Sequence, residues 1–262
     1  MDSPLPEVIS MESSARSDSY FRVRCGSRVK YIVTTQGTLH GDALLMPLFS
    51  LPPLPYSRDD WTVATISRSN ETGELVPSLS NRTLLGVKEI WHPEMVDCLS
   101  LDRVERLSAT AFECIRRGQT GTVTTIAKVA RFEWEIPRME RETRAYRLLE
   151  GTGIAPRFLG HVHEQGRTVG MLLEKIEDGR FAGVGDLEAC RKALGRFHQT
   201  GLLHGDVNRH NFVVGKDGLK LIDYETSWET NDLEAFDAEM ASLETELGDG
   251  SGRGGGFEID DD

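Results

Sequence analysis

At 262 residues, 39% hydrophobic and 27% charged, the chain can bury one large core or two small ones and has the make-up of a folded protein. Its net charge of −12, with no basic block, argues against nucleic acid or an anionic membrane surface as a partner, since both rest on clustered Lys and Arg. No apolar run reaches the ~18–20 residues of a membrane span; the N-terminus lacks a signal-peptide layout; Cys25, Cys98, Cys114 and Cys190 form no C-x-x-C pair, so a reducing, cytoplasmic setting is expected.

Residues 1–19, rich in Ser and acidic side chains, read as a disordered tail. From Tyr20 to Thr35 the pattern is two short strands around a Gly26-Ser27 turn, followed by the Pro-rich stretch LPPLPY (51–56) and a strand-like WTVATIS from Trp61. A motif-like segment, GVKEIWHPEMVD, runs from Gly86 to Asp97. Residues 102–132 alternate strand and turn, with Gly118 to Gly121 as one turn. Ile136, Met139, Thr143, Tyr146 and Leu149 then recur at helical spacing, ending at Gly151. Two strands follow, RFLGHVHE and RTVGMLLEKI, then a helix over about 186–200 with Leu187, Cys190, Leu194 and Phe197 on one face. A hairpin, FVV and LKLIDYE, precedes a last helix over 232–247; residues 248–262 are a Gly-rich acidic tail. Strands with one helix, then helices with one hairpin, predict an α+β fold in two lobes.

The chemistry concentrates in H-G-D-V-N-R-H-N, His204 to Asn211, followed by Asp223 at the end of the hairpin. Asp206 stands five residues before Asn211. An Asp so placed can accept or orient the proton of an attacking hydroxyl, while an Asn and a second Asp are hard oxygen ligands suited to Mg²⁺ on phosphates. An isolated Asp in a turn is most often a turn former; the joint pattern after an amphipathic helix is much rarer. Upstream, Lys128 sits in an apolar strand, where its charge needs a partner. Glu142 lies fourteen residues on, in the following helix, and a strand Lys held by a helix Glu is how kinases aim an ammonium at the α- and β-phosphates. Glu140 competes for that role; Glu142 is preferred because Tyr146 and Leu149 mark the buried face.

On these residues the stretch 104–247 resembles the protein-kinase-like superfamily, especially small atypical members: aminoglycoside and choline phosphotransferases, RIO kinases, and the compact kinase of tRNA threonylcarbamoylation. The whole chain is also similar to filamentous-fungal kinase-like proteins, some of which bear the label α-galactosidase A precursor. The residues do not support that label, since no barrel-type βα repeat is present. The resemblance implies a bilobal fold with a β-rich N-terminal extension (20–101), an N-lobe (102–176) and a minimal, truncated C-lobe (177–247). It implies ATP with Mg²⁺ or Mn²⁺ as cofactor and ligand, Lys128 on phosphate with Glu142 as its partner, Asp206 as catalytic residue, and Asn211 with Asp223 as metal ligands. Backbone from Glu174 to Ile176 would meet adenine, with Leu172 or Leu173 near the gatekeeper position.

Two departures stand out. The phosphate-covering loop should be Gly-rich, but the aligned stretch, Arg106 to Cys114, has no glycine; Ser108 and Thr110 are the groups left to meet phosphate there. Only 39 residues follow Asp223, so the acceptor, small molecule or protein, is expected to be held by the N-terminal region, a partner protein or a minimal lobe. The rival expectation is a nucleotide-binding regulatory module, non-catalytic or ATPase-only. His161 and His163, two apart on a strand, are read as surface histidines rather than metal ligands. His204 is expected to organise the loop before Asp206, and Arg209 and His210 to stabilise the fold or to meet phosphate or acceptor. Trp91-His92-Pro93 is expected to be a packing anchor.

Overall fold

A computed structural model describes residues 5–118 and 123–251. The protein is mixed α+β, as predicted. Its contacts divide it into two compact units: Met1–Leu85 with Arg131–Glu133 and Glu164–Gly166, and Gly86–Ala130 with Trp134–His163 and Arg167–Asp262. Residues 86–101, grouped with the N-terminal extension on sequence grounds, fall in the second unit. Part of the Gly118–Gly121 turn and the tail from Gly252 lie outside the described residues.

The first unit is a five-stranded sheet in sequential order: β1 (Glu7–Glu12), β2 (Ser19–Cys25), β3 (Arg28–Thr34), β4 (Val63–Arg68) and β5 (Leu75–Ser80). Within 1–19, where disorder was expected, Glu7–Glu12 form β1, which pairs with β2, and residues 1–4 lie outside the described residues. The β2–β3 hairpin turns at Gly26, whose φ of 65° a glycine adopts freely. Strand β4 lies parallel to β3, so the chain needs a long crossover, which carries two single-turn helices, α1 (Asp42–Leu45) and α2 (Pro47–Ser50), and the Pro-rich stretch. Phe21, Val23, Ile32, Ala64 and Ile66 form this unit's core. Trp61, 2% exposed, belongs to it and donates its indole N–H to the Pro55 carbonyl at 3.0 Å. Buried Lys30 donates to the carbonyls of Arg58 (2.8 Å) and Trp61 (2.7 Å) and lies over the Trp61 ring, contacts that offset part of the cost of burying its charge, and burial lowers its pKa.

The second unit is built on a six-stranded sheet. Its strands are β6 (Met95–Asp97), β7 (Leu101–Arg106), β8 (Ala111–Arg116), β9 (Thr125–Val129), β10 (Phe158–Glu164) and β11 (Arg167–Glu174), in spatial order β6-β10-β11-β9-β8-β7. Strand β6 runs parallel to β10; β7, β8, β9 and β11 pair antiparallel in turn. Gly170 has a specific reason: a Cβ there would fall 2.2 Å from the Lys128 carbonyl on the neighbouring strand. Between β9 and β10 runs α3 (Ile136–Leu149), opened by a Pro in its first turn and followed by Gly151 in the left-handed region. Ile136, Met139, Thr143, Tyr146 and Leu149, the residues that predicted it, are all buried. Two apolar clusters cover the sheet. One, with Val96, Phe112, Ala127, Val129, Val162 and Leu172, lies on one face; the other joins Met171 and Leu173 to the helices.

The GVKEIWHP segment is an integral part of this unit. Val87 is buried and its N–H reaches the Thr168 carbonyl; Trp91 packs on Phe158 with ring centroids 4.5 Å apart. His161 corrects the expectation of surface histidines. It is fully buried, and its Nε2 accepts from the backbone N–H groups of Trp91 (3.1 Å) and His92 (3.2 Å). The proton therefore sits on Nδ1, and burial pushes the imidazole pKa down to about 4, so the ring is neutral.

After β11 come β12 (Arg180–Phe181), α4 (Leu187–His198), β13 (Leu202–Leu203), β14 (Phe212–Gly215), β15 (Gly218–Leu221), β16 (Trp228–Glu229) and α5 (Leu233–Gly248). Strands β12, β14 and β15 form one small sheet, and β13 pairs with β16. Asp232 caps α5, accepting from the N–H groups of Glu234 and Ala235. Cys190, Leu194 and Phe197 of α4 and Leu243 and Leu247 of α5 close the core.

Candidate functional site

Lys128 reaches the site by strand alternation. Ala127 and Val129 point into the sheet's outer cluster, so Ile126 and Lys128 must point to the side of α3. Its Nζ lies 2.7 Å from Glu142 Oε2 and 2.7 Å from Asp223 Oδ1. Glu142 occupies the inner face of α3 and is 1% exposed. Glu140, the competitor, accepts instead from the N–H groups of Lys88 and Glu89. Of the two gatekeeper candidates, Leu173 pairs with Ile126 on the Lys128 face, whereas Leu172 packs in the outer cluster.

One ammonium thus faces two carboxylates. Burial works against the charged lysine, but Glu142 and Asp223 more than offset it, and the Lys128 pKa is raised. Burial likewise disfavours the Asp223 carboxylate, but Lys128 outweighs it and the Asp223 pKa is lowered. For Glu142 the balance tips the other way: burial pushes its pKa up to about 7, Lys128 pulling it back only in part, and Asp223 adds repulsion. A single cation cannot neutralise both acids, so the deeper one resists ionisation. Lys128 and Asp223 form the charged pair, and Glu142 is the member whose ionisation burial opposes.

Asp223 has φ of 64°, a left-handed conformation that Asp tolerates better than most residues but that still needs its surroundings to hold it. Those surroundings are visible. Tyr224 is fully buried, stacked on Phe197 at 5.5 Å, with its hydroxyl donating to the Leu221 carbonyl. Ser227 Oγ donates to the Tyr224 carbonyl at 2.7 Å.

The H-G-D-V-N-R-H-N loop lies against the same hairpin. The Ile222 N–H donates to the Asn211 carbonyl at 2.9 Å, and His204 Nε2 donates to the Ile222 carbonyl at 3.1 Å. His204 is fully buried and burial lowers its pKa, so it holds the loop as a neutral ring, in line with its expected organising role. Asn211 Nδ2 donates to the Asp206 carbonyl at 2.8 Å, and Asn208 Nδ2 lies 3.2 Å from Asp206 Oδ2. Asn208 also accepts from the His210 N–H, capping the short turn Arg209–Asn211. Asp206 and Asn211 are thus tied to each other, the Asn211 carbonyl is tied to the residue before Asp223, and Asp223 is joined through Lys128 to Glu142.

Sequence reasoning missed Glu239 on α5. Its carboxylate accepts from the Gly205 N–H (2.7 Å) and the His204 N–H (3.1 Å), and lies 2.7 Å from His198 Nε2. Burial opposes its charge, but these hydrogen bonds outweigh burial and its pKa is lowered. The signal was present: Glu239 stands three residues after Phe236 and four before Leu243, an acid on the apolar stripe of its helix. Gly205 itself, at φ 79°, has no room for a Cβ, which would fall 2.6 Å from the Trp228 ring.

Elsewhere the geometry is less concentrated. In the β7–β8 loop the N–H of Ser108 donates to the Ala111 carbonyl, and the N–H groups of Thr110 and Ala111 donate to Ser108 Oγ. The backbone donors of both candidate residues are thus engaged within the loop. Glu174 and Ile176 line a small cavity of about 130 Å³ with Pro156 and the Gly215–Gly218 turn. The Ile176 side chain packs toward Gly179 and Gly215, leaving its backbone as the part that could meet a ligand. Among the described residues, no group of three or more His, Cys, Asp or Glu forms a ready metal site. No helix among them is long and apolar enough to cross a membrane.

No known protein-family model matches the chain. It is 26% identical over 114 residues to a protein of Methanothermobacter thermautotrophicus named "Probable bifunctional tRNA threonylcarbamoyladenosine biosynthesis protein". The match takes in 42% of this chain and 21% of that protein, so the chain spans about a fifth of the relative's length. The likeness is distant and partial.

Proposed function

We propose that the second unit is an ATP-dependent phosphotransferase of the protein-kinase-like class, requiring Mg²⁺ or Mn²⁺. The observation that carries the reading is the convergence of Lys128 with Glu142 and Asp223 at 2.7 Å each, beside a loop that ties Asp206 to Asn211. In this reading Lys128 meets the α- and β-phosphates, and Asp206 accepts or orients the proton of the acceptor hydroxyl. Asn211, whose Nδ2 is engaged with Asp206, offers Oδ1 to the metal together with the Asp223 carboxylate. One carboxylate and one carboxamide suit a hard cation that takes its remaining oxygens from phosphate and water. When bound, the metal would neutralise charge on the phosphates. Backbone of Glu174–Ile176 meets adenine, and Ser108 and Thr110 contribute through their hydroxyls. The archaeal relative's name belongs to the same tRNA modification as one of the compact kinases that the motif resembles, and that agreement supports the class without naming an acceptor.

A second reading, a nucleotide-binding regulatory module or simple ATPase, is favoured by one observation: the glycine-free β7–β8 loop spends its N–H groups internally instead of presenting them to phosphate. Thermal-shift titration with ATP in Mg²⁺, in Mn²⁺ and in chelator tests both readings. Stabilisation that appears only with the metals is expected, since a ligand that binds only the native state raises stability by mass action. No shift at millimolar Mg·ATP, and no heat in calorimetry, would sink both. Phosphate transfer to an added acceptor, as against ATP loss alone, separates the first from the second.

A further inference from the structure

Arg138, Arg141 and Arg144 recur every third residue along α3, hence on one face of it. All three meet the segment that follows Asp223. Arg138 lies 3.6 Å from the Glu225 carboxylate, Arg141 Nε donates to the Glu225 carbonyl at 2.9 Å, and Arg144 pairs with Glu229 at 2.5 Å. On the inner side of the same helix, Tyr146 meets the Tyr224 ring edge-on at 5.1 Å. The helix that carries Glu142 therefore grips residues 224–229 from within by aromatic packing and from without by three guanidinium groups.

We propose that Arg138, Arg141 and Arg144 are positioning residues. They form an electrostatic latch that fixes α3 to the segment after Asp223 and keeps Glu142, Lys128 and Asp223 assembled in the unmodified protein. One feature of the segment calls for a latch. Asp223 sits at a positive φ, so residue 224 onward must be held for that conformation to persist. Both side chains of the Arg138–Glu225 and Arg144–Glu229 pairs are accessible, so each pair is worth roughly a two- to five-fold bias toward the closed arrangement, and only as a set do they matter. Such pairs are screened by salt, since the Debye length falls from about 10 Å at 0.1 M to about 3 Å at 1 M. The assembled site should consequently loosen as ionic strength rises, and no covalent activation should be needed to form it.

The functional consequence rests on the nucleotide reading above, but the latch itself does not, and the test separates them. Amide hydrogen exchange of residues 224–229 is measured in the full chain for wild type, R141Q/R144Q, R144E, E229R and the swap R144E/E229R, at 0.05 M and 1 M NaCl. Affinity for Mg·ATP is measured alongside by calorimetry. The latch predicts exchange in 224–229 about ten-fold faster in R141Q/R144Q than in wild type at low salt, with α4 unchanged and the difference collapsing at 1 M. It also predicts that the swap recovers most of what either single reversal loses, in exchange and in Mg·ATP affinity together. Unchanged exchange in R141Q/R144Q, or a swap no better than the single reversals, would overturn it. Wild type that fails to bind Mg·ATP would overturn the nucleotide reading, while the exchange data would still decide the latch.

Discussion

Replacing Glu142 by Gln tests the charge distribution of the site directly, and does so without assuming an activity. Glu142 is 1% exposed, and burial pushes its pKa from 4.5 up to about 7 despite the adjacent ammonium. In the unfolded chain it titrates near 4.5, so between about pH 4.5 and 7 the native state binds more protons than the unfolded state. The slope of stability with pH is then negative: Glu142 lowers stability progressively as pH rises through that window, and the loss levels off above it. The shift corresponds to about 3 kcal/mol at full ionisation. Gln keeps the shape, can still accept from Lys128, and leaves Lys128 its charged partner Asp223, but carries no proton to lose. The difference in stability between Glu142→Gln and wild type should therefore grow in favour of the variant by about 3 kcal/mol from pH 4.5 to pH 8. For a chain of this size that is about 6–12 °C in melting temperature. Thermal unfolding of both proteins across this range measures it, and taking the difference cancels groups that titrate alike in both, such as His161 and His204. Parallel profiles would mean that Lys128 holds Glu142 fully ionised at neutral pH, and the assignment of Lys128–Asp223 as the charged pair would be wrong.

Three further outcomes follow from named contacts. Asp206→Asn should abolish phosphate transfer while leaving Mg·ATP affinity within about two-fold, whereas Lys128→Ala should weaken binding and turnover together; an Asp206→Asn protein with full activity would show that the catalytic residue lies elsewhere. Glu239→Ala should cost about 2–4 kcal/mol, because the N–H groups of His204 and Gly205 and the ring of His198 lose their shared acceptor; urea unfolding measures this, and a loss under about 0.5 kcal/mol would contradict it. A fragment beginning at Asp102 should fail to melt cooperatively, since it deletes β6, Val87 and Trp91 from the second unit's own core; a soluble 102–262 fragment that melts at the full-length temperature would refute that.

The α+β class and the long helices were legible in the sequence because their apolar residues recur at helical spacing, and α3, α4 and α5 begin and end within two residues of expectation. The Lys128–Glu142 pair was legible for a different reason: a lysine in an apolar strand demands a partner, and Tyr146 and Leu149 told which glutamate faced inward. What was not legible has physical causes. Strand β1 is short and half polar, so its composition resembled a flexible tail, yet it pairs along one edge with β2. The Pro-rich stretch gave no sign of its packing, but the parallel β3–β4 pair needs a covered crossover, and Leu54 and Trp61 are buried in that unit's core. His161 looked solvent-facing because alternation alone cannot tell which face of a strand is covered; the Trp91–His92 backbone covers it. Glu239 went unread because an acid within an apolar stripe was taken as noise, when its partners are backbone N–H groups with no signature of their own.

That last residue bears on the choice between a transferase and a module that merely binds nucleotide. In the proposed reading, binding ATP calls on Lys128, Asn211 and Asp223, and residues 204–206 enter it only through the Asp206 carbonyl that holds Asn211. Yet that stretch is held by several ties. Glu239 takes the N–H groups of His204 and Gly205, Thr226 Oγ1 donates to the His204 carbonyl, His204 Nε2 donates to Ile222, and Asn208 and Asn211 both donate to Asp206. Gly205 is confined to a conformation and a space that only glycine accepts. The effect of these ties is to hold the backbone that leads into Asp206 against α5 and the hairpin before Asp223, with Asn208 on the Asp206 carboxylate. In the proposed reading Asp206 orients the acceptor hydroxyl, and a carboxylate held in advance would lower the reorganisation needed for transfer. The expense of holding Asp206 so firmly makes sense for a protein that transfers phosphate, and this is why the transferase reading stands ahead of the binding module despite the closed β7–β8 loop.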